Sequence, residues 1–281
     1  MNLPAPNVIP LHGSVRRHVT HPFASVETAA FDTAAYSRMK FGSGRDARLL
    51  GREMAEAFAA EYWGVLTTQN CLVIPAPSTT VPVAATLLGW HFRDRLNSLL
   101  DGCGKPPVQW DWVHRAVTYN DDYAQRSLEE RRQLLAEDQR YMNAAYARGK
   151  TLIFVDDVTI TGTHEEKLAF MLADHGLPNP VVYATYAGYT GTEPAVEHAL
   201  NRVAVRSGIC VARLSACPEW SVTTRGLRLL LESGREEWAE ILNTMEPLRL
   251  WQVYHAAIVK GYSQHPPYAD NFHRLRWRLG E

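Results

Sequence analysis

The chain has few cysteines, no long apolar run and no surplus of either charge. Its four cysteines, Cys71, Cys103, Cys210 and Cys217, include no C-x-x-C pair. That argues against a zinc ribbon or a thioredoxin-like redox motif. Cys71 opens an apolar run and reads as a small core residue. No stretch approaches the roughly 20 apolar residues that cross a bilayer, so no membrane partner is expected. The N-terminal stretch is polar and proline-rich, which makes a cytoplasmic location the expectation. A formal net charge of −1 gives no global attraction to nucleic acid or to anionic membranes. Any anion must therefore be held by a few local cations and backbone donors. Internal repeats and low-complexity segments are also missing. What is present is ample apolar material: 46% of 281 residues, enough for one large domain or a domain with an extension.

Residues 1–24 carry Pro4, Pro6, Pro10 and Pro22 with little periodicity. They read as an extended arm that packs on the body or on a second subunit, so a homodimer is one option. From Asp46 to Trp63, residues Leu50, Met54, Ala57, Phe58 and Tyr62 share one helical face. Ser43 or Asp46 is available as its cap. A buried strand is expected over 71–75, a loop over 76–82, a helix over 83–100 and a strand over 108–119. The 120–149 stretch is charged and helix-prone, with Arg126, Arg131, Arg132 and Arg140. Later segments read as a helix over 165–174, a strand over 180–186, a helix over 193–206 and a further strand over 209–214. Three helices follow, over 232–245, 248–260 and 270–279, separated by Pro247, Gly261 and Pro266-Pro267. Their arginines, Arg249, Arg274, Arg276 and Arg278, read as a solvated face rather than a nucleic-acid stripe.

This alternation predicts an α/β fold, a mostly parallel, Rossmann-like sheet flanked by helices, with a C-terminal helical extension. The expected organisation is an arm over 1–24, an α/β domain over 25–221 and a helical cap over 222–281. Ligands of such sheets bind beyond the carboxyl ends of the strands. The loops at 76–80 and 156–163 both lie there.

The densest chemistry lies in Thr151-Leu-Ile-Phe-Val-Asp156-Asp157-Val-Thr-Ile-Thr-Gly162-Thr-His164. An apolar, β-branched strand ends in two adjacent carboxylates. Neighbouring acids repel and resist desolvation, so a fold that keeps them there directs them at sugar hydroxyls, a cation or both. The Thr/Gly turn before the next helix supplies hydroxyls and backbone N–H groups, which suit a phosphate. Diol-binding acids beside a phosphate cradle describe a phosphorylated ribose. The competing reading is a doubly wound domain with an Asp-Asp at a strand end for another reason, such as a metal site.

The stretch resembles the signature of type I phosphoribosyltransferases: apolar strand, acidic pair, two apolar residues, then a Thr/Ser turn around Gly. Phe154, Val155, Asp156, Asp157, Val158, Thr161 and Gly162 carry the match. Thr159, Ile160 and His164 depart from it. The order of pieces is similar to the ComF-like branch: Lys40-Phe-Gly before a helix, Leu72-Val-Ile-Pro75-Ala-Pro77 before a loop, Gln125-x-x-Leu128-x-x-Arg131, and Gly149-Lys150 before the signature strand. This likeness covers roughly 35–187. The variant Asp-Asp-x-x-Ile-Thr-Gly-Thr-His-Glu is also similar to phosphoribosyltransferases associated with tellurium-resistance and stress-response gene clusters.

The resemblance implies roles. Asp156 and Asp157 face the ribose hydroxyls of phosphoribosyl pyrophosphate (PRPP) as the catalytic pair, with Mg²⁺ held through ligand and water rather than by direct protein ligation. Thr159, Thr161, Gly162, Thr163 and His164 hold the 5′-phosphate. Ser78, Thr79 and Thr80, with Lys40, take the pyrophosphate; the loop has no basic residue of its own, so Lys40, Arg45, Arg115 or Arg131 must bring the charge. Arg126 and Arg131 are candidates for a lid over the pyrophosphate, with a static surface helix as the competing reading. On their residue type, Tyr186 and Tyr189 are candidates either to stack on the acceptor base or to pack in the core. Ile160 cannot serve as a general base. Three functions therefore stand open: phosphoribosyl transfer to a base-like acceptor in nucleotide metabolism, a non-catalytic PRPP- or nucleotide-binding regulator, and a metal-dependent hydrolase joining Asp121, Asp122, Glu165 or Glu166 to the acidic pair.

Overall fold

The computed structural model describes residues 14–115, 140–191, 193 and 195–281. The lid candidates Arg126 and Arg131, with Asp121 and Asp122, lie outside the described residues. The centre is a five-stranded, wholly parallel sheet. Its strands are β1 (Val15–Phe23), β2 (Cys71–Pro75), β3 (Gln109–Trp110), β6 (Thr151–Thr159) and β7 (Val181–Tyr189), in the order β1-β7-β6-β2-β3. A small antiparallel pair, β4 (His114–Arg115) and β5 (Arg140–Tyr141), stands apart. Eleven α-helices are described, the short α4 (Ala144–Ala147) among them.

Alternation along the strands fills two cores. Val73, Ile153, Val155, Val182, Ala184 and Tyr186 face one side, against α1 (Thr33–Lys40), α2 (Gly44–Thr68) and α3 (Ala84–Asp101). Leu72, Ile74, Leu152, Phe154, Val181 and Tyr183 face the other, where α5 (Thr163–Asp174) contributes Leu168, Met171 and Leu172. Strands buried on both faces read as continuous apolar runs. That is why Cys71–Pro75 and Thr151–Val155 were legible as strands.

A third core belongs to the C-terminal helices: α7 (Gly208–Leu214), α8 (Thr224–Leu231), α9 (Arg235–Thr244), α10 (Pro247–Val259) and α11 (Pro266–Leu279). Leu227, Leu230, Trp238, Ile241, Val253 and Leu275 are at its heart. Phe41, next to Lys40, is built into this core. Trp220 Nε1 donates to the Phe41 carbonyl at 2.9 Å, and Thr223 Oγ1 to the Lys40 carbonyl at 3.0 Å.

Several sequence expectations need correction. Val15–Phe23, within the expected arm, is the sheet's edge strand, held by parallel pairing with β7. The expected strand over 209–214 is α7. Val211 and Ala212 supply its buried face, and the Ile209 N–H donates to Glu237 Oε1 at 3.0 Å, closing its start. Short apolar runs do not separate strand from buried helix by composition. The single strand expected over 108–119 is two short strands within its described part, and the helix expected over 193–206 contracts to α6 (Val196–Asn201).

Candidate functional site

Strand β6 carries Asp156 and Asp157 at its carboxyl end, and α5 starts at Thr163. Gly162 joins them at φ +76°, in the left-handed region. A glycine adopts that conformation without the Cβ penalty other residues meet. The first N–H groups of α5 have no partners within their own helix, and they sit beside the hydroxyls of the turn. Thr161 Oγ1 and Thr163 Oγ1 are 2.9 Å apart; Thr159 Oγ1 is 3.2 Å from Thr185 Oγ1.

The turn borders a cavity of about 430 Å³. Asp156, Thr159, Thr161, Gly162, Thr163 and His164 all line it, with Ile160 between them. Ala76 and Pro77 close it from the β2 side, and Glu197 and Arg228 border it from α6 and α8.

The two acids have different surroundings. Asp157 points inward and is 5% exposed. It forms an ion pair with Lys40 and accepts from the Tyr36 hydroxyl at 3.0 Å. Burial alone would raise its pKa; the Lys40 charge and hydrogen bonds from Lys40 and Tyr36 outweigh that and hold it down at about 2. Asp156 faces the cavity. Its Oδ1 accepts from the Asp157 N–H at 2.8 Å, and its Oδ2 lies 2.9 Å from His164 Nδ1. Burial raises its pKa, against the opposing pull of His164. The hydrogen bond and charge of Asp156 in turn raise the pKa of His164.

Lys40, expected at the pyrophosphate, is instead buried against Asp157, with Glu197 Oε1 3.8 Å away. Ser78, Thr79 and Thr80 border a separate recess of about 330 Å³ with Pro82, Thr86, Trp90, Trp112 and His114. Tyr186 is fully buried, donates to Glu53 at 2.8 Å and packs among His21, Phe31 and Tyr36. Tyr189 packs on Phe23. Neither tyrosine lines the cavity or the recess. Glu165 is tied to Arg17 Nε at 2.6 Å. Among the described residues, no cluster of three His, Cys, Asp or Glu side chains could hold a metal.

Four residues that matter here were not singled out from sequence. Tyr36 could have been: it stands four residues before Lys40, so both fall on one face of α1 and reach the same carboxylate. Glu197, Arg228 and Lys260, whose Nζ lies 2.9 Å from Thr79 Oγ1 at the recess, arrive through long-range packing, and no local pattern marks them.

In comparisons with known proteins, a family model described as PRTase ComF-like matches residues 16–275. No curated protein matches the chain.

Proposed function

The chain belongs to the ComF-like phosphoribosyltransferase family, and on that premise we propose that it binds PRPP and transfers the phosphoribosyl group to a base-like acceptor. Membership suggests a transferase; the donor, the cation and the acceptor are our reading. One observation carries it: Asp156 and the Thr159–His164 turn line the same cavity. A carboxylate able to accept from vicinal hydroxyls thus sits one turn from a phosphate cradle.

In this reading the 5′-phosphate rests on the turn and the start of α5, where backbone N–H groups and helix dipole favour an anion. Thr161 and Thr163 add hydroxyl donors, and His164, whose pKa Asp156 raises, adds charge whenever it is protonated. Asp156 accepts from the ribose hydroxyls. Asp157 acts behind it: paired with Lys40, it fixes the strand end and the Asp157 N–H that orients Asp156. The bond from the anomeric carbon to pyrophosphate breaks, and pyrophosphate leaves with the electron pair. A bond from that carbon to an acceptor nitrogen forms, and the proton that nitrogen carried passes to solvent. The transition state has oxocarbenium character, as at other glycosidic centres, so charge must be balanced on the departing group. The residues fit Mg²⁺ carried on the donor: one carboxylate, Asp156, faces the cavity and can meet a metal-bound water, while Asp157 is engaged by Lys40. Bound there, Mg²⁺ would neutralise leaving-group charge.

The test is to incubate protein, Mg²⁺ and PRPP with a panel of bases and follow pyrophosphate. Release that depends on one base supports transfer. Binding of PRPP with no release across the panel favours the regulatory reading, in which the same site senses the donor.

A further inference from the structure

The loop that follows β2, Ala76-Pro-Ser-Thr-Thr-Val-Pro82, contains no basic residue, yet a cation reaches it from far along the chain. Lys260 Nζ lies 2.9 Å from Thr79 Oγ1. The lysine is 8% exposed. It is set at the end of α10, where its N–H closes on the Ala256 carbonyl at 3.1 Å and Gly261, at φ +69°, turns the chain away. The negative end of a helix favours a cation, so the position suits a buried ammonium. The same loop is fastened a second time from the C-terminal helices: the Thr224 N–H donates to the Pro82 carbonyl at 2.9 Å, and Thr224 Oγ1 to the Val81 carbonyl at 3.3 Å.

An ammonium only donates hydrogen bonds, so Thr79 Oγ1 must be the acceptor in this pair. Its own O–H proton is then directed elsewhere. Thr79 borders the 330 Å³ recess, beside the hydroxyl-bearing Ser78, Thr80 and Thr86. Lys260 stands behind that wall. That leaves the Thr79 hydroxyl able to donate into the recess, and the lysine's charge would strengthen that dipole. Pro82, Trp90, Trp112 and His114 complete the lining, and the side that carries the hydroxyls, backed by a buried cation, suits an anion.

We propose that Lys260 is the positioning cation of the pyrophosphate side of the site, supplied to the α/β domain by the C-terminal helices. It acts through Thr79, and the ligand class is the diphosphate of the donor. The assignment rests on the phosphoribosyl reading above. It gives the helical extension a share in substrate recognition.

The experiment compares PRPP with ribose 5-phosphate by calorimetric titration of the full chain in Mg²⁺. Wild type should bind both, PRPP the more tightly. Lys260→Met should weaken PRPP about tenfold or more, the scale of one charge-assisted contact, and leave ribose 5-phosphate within about twofold. Lys260→Arg should restore most of the PRPP affinity. Thr79→Val, which keeps the lysine, should show the same selective loss and serves if Lys260→Met does not fold. Equal losses for both ligands, or unchanged PRPP affinity in both variants, overturn the assignment while the phosphoribosyl reading stands. Wild type that binds neither ligand overturns both.

Discussion

Asp156 and Asp157 are adjacent in sequence and chemically unlike in the fold. Asp157 is buried with Lys40, and removal of one member of such a pair leaves an uncompensated charge. Lys40→Met should cost about 3–5 kcal/mol of stability, read by denaturant unfolding. Lys40→Met with Asp157→Asn should recover part of that loss, because the two changes are coupled. The pH dependence follows in sign. The carboxyl of Asp157 is held at about 2 in the folded protein, below its ordinary value. Its contribution is therefore complete at neutral pH, where the unfolded chain is also ionised. It is lost as pH falls through the ordinary aspartate range toward the folded value. His164 moves the other way. Its pKa is raised by Asp156, so the pair is strongest below the ordinary imidazole value and fades as pH rises through the folded one. NMR titration should find the His164 imidazole above the usual range in wild type and lowered by Asp156→Asn. No drop would mean that the contact between them does not form in solution.

At the scale of elements, the strand–turn–helix that carries the site was the most legible part of the chain. A β-branched run, two acids and a Gly/Thr turn are local signals, and the turn residues expected at a phosphate line one cavity. Gly162 is the hinge of that unit. A Cβ there meets nothing within 4 Å, so Gly162→Ala should act through backbone strain alone. The expected cost is about 1–2 kcal/mol, with loss of donor binding as the turn changes conformation. Unaltered stability and binding would show that the left-handed turn is not needed. Helix α7 was misread because Ile209–Leu214 is too short for periodicity to show. Its helical state is decided by neighbours, the Glu237 carboxylate and the C-terminal core. The loop after β2 was placed correctly at a strand end, but its contact with Lys260 could not be seen. Thr79 and Lys260 are 181 positions apart, and no pattern in a single sequence links them.

On the scale of the whole molecule, the C-terminal helices are fused to the α/β part through the site itself. Lys40 pairs with Asp157 by its side chain, while its carbonyl is bound by Thr223 and the adjoining Phe41 sits in the helical core. Gly42, at φ +106°, passes so close to Ser221 that an added Cβ would collide with its carbonyl. These junctions predict one cooperative unfolding transition. Circular dichroism and tryptophan fluorescence should report the same midpoint. A chain ended at residue 221 should lose that transition, since Phe41 and Trp220 would be exposed. Two resolved transitions would instead describe independent modules.

The central claim is that Asp156 and the Gly162 turn hold a phosphorylated ribose. Calorimetric titration of PRPP into wild type and Asp156→Asn, both with native circular dichroism, tests it most directly. Wild type should bind, and the variant should bind at least about tenfold more weakly, one lost charged hydrogen bond being worth that much. Equal affinity in the two proteins, or no binding by wild type, would contradict the account.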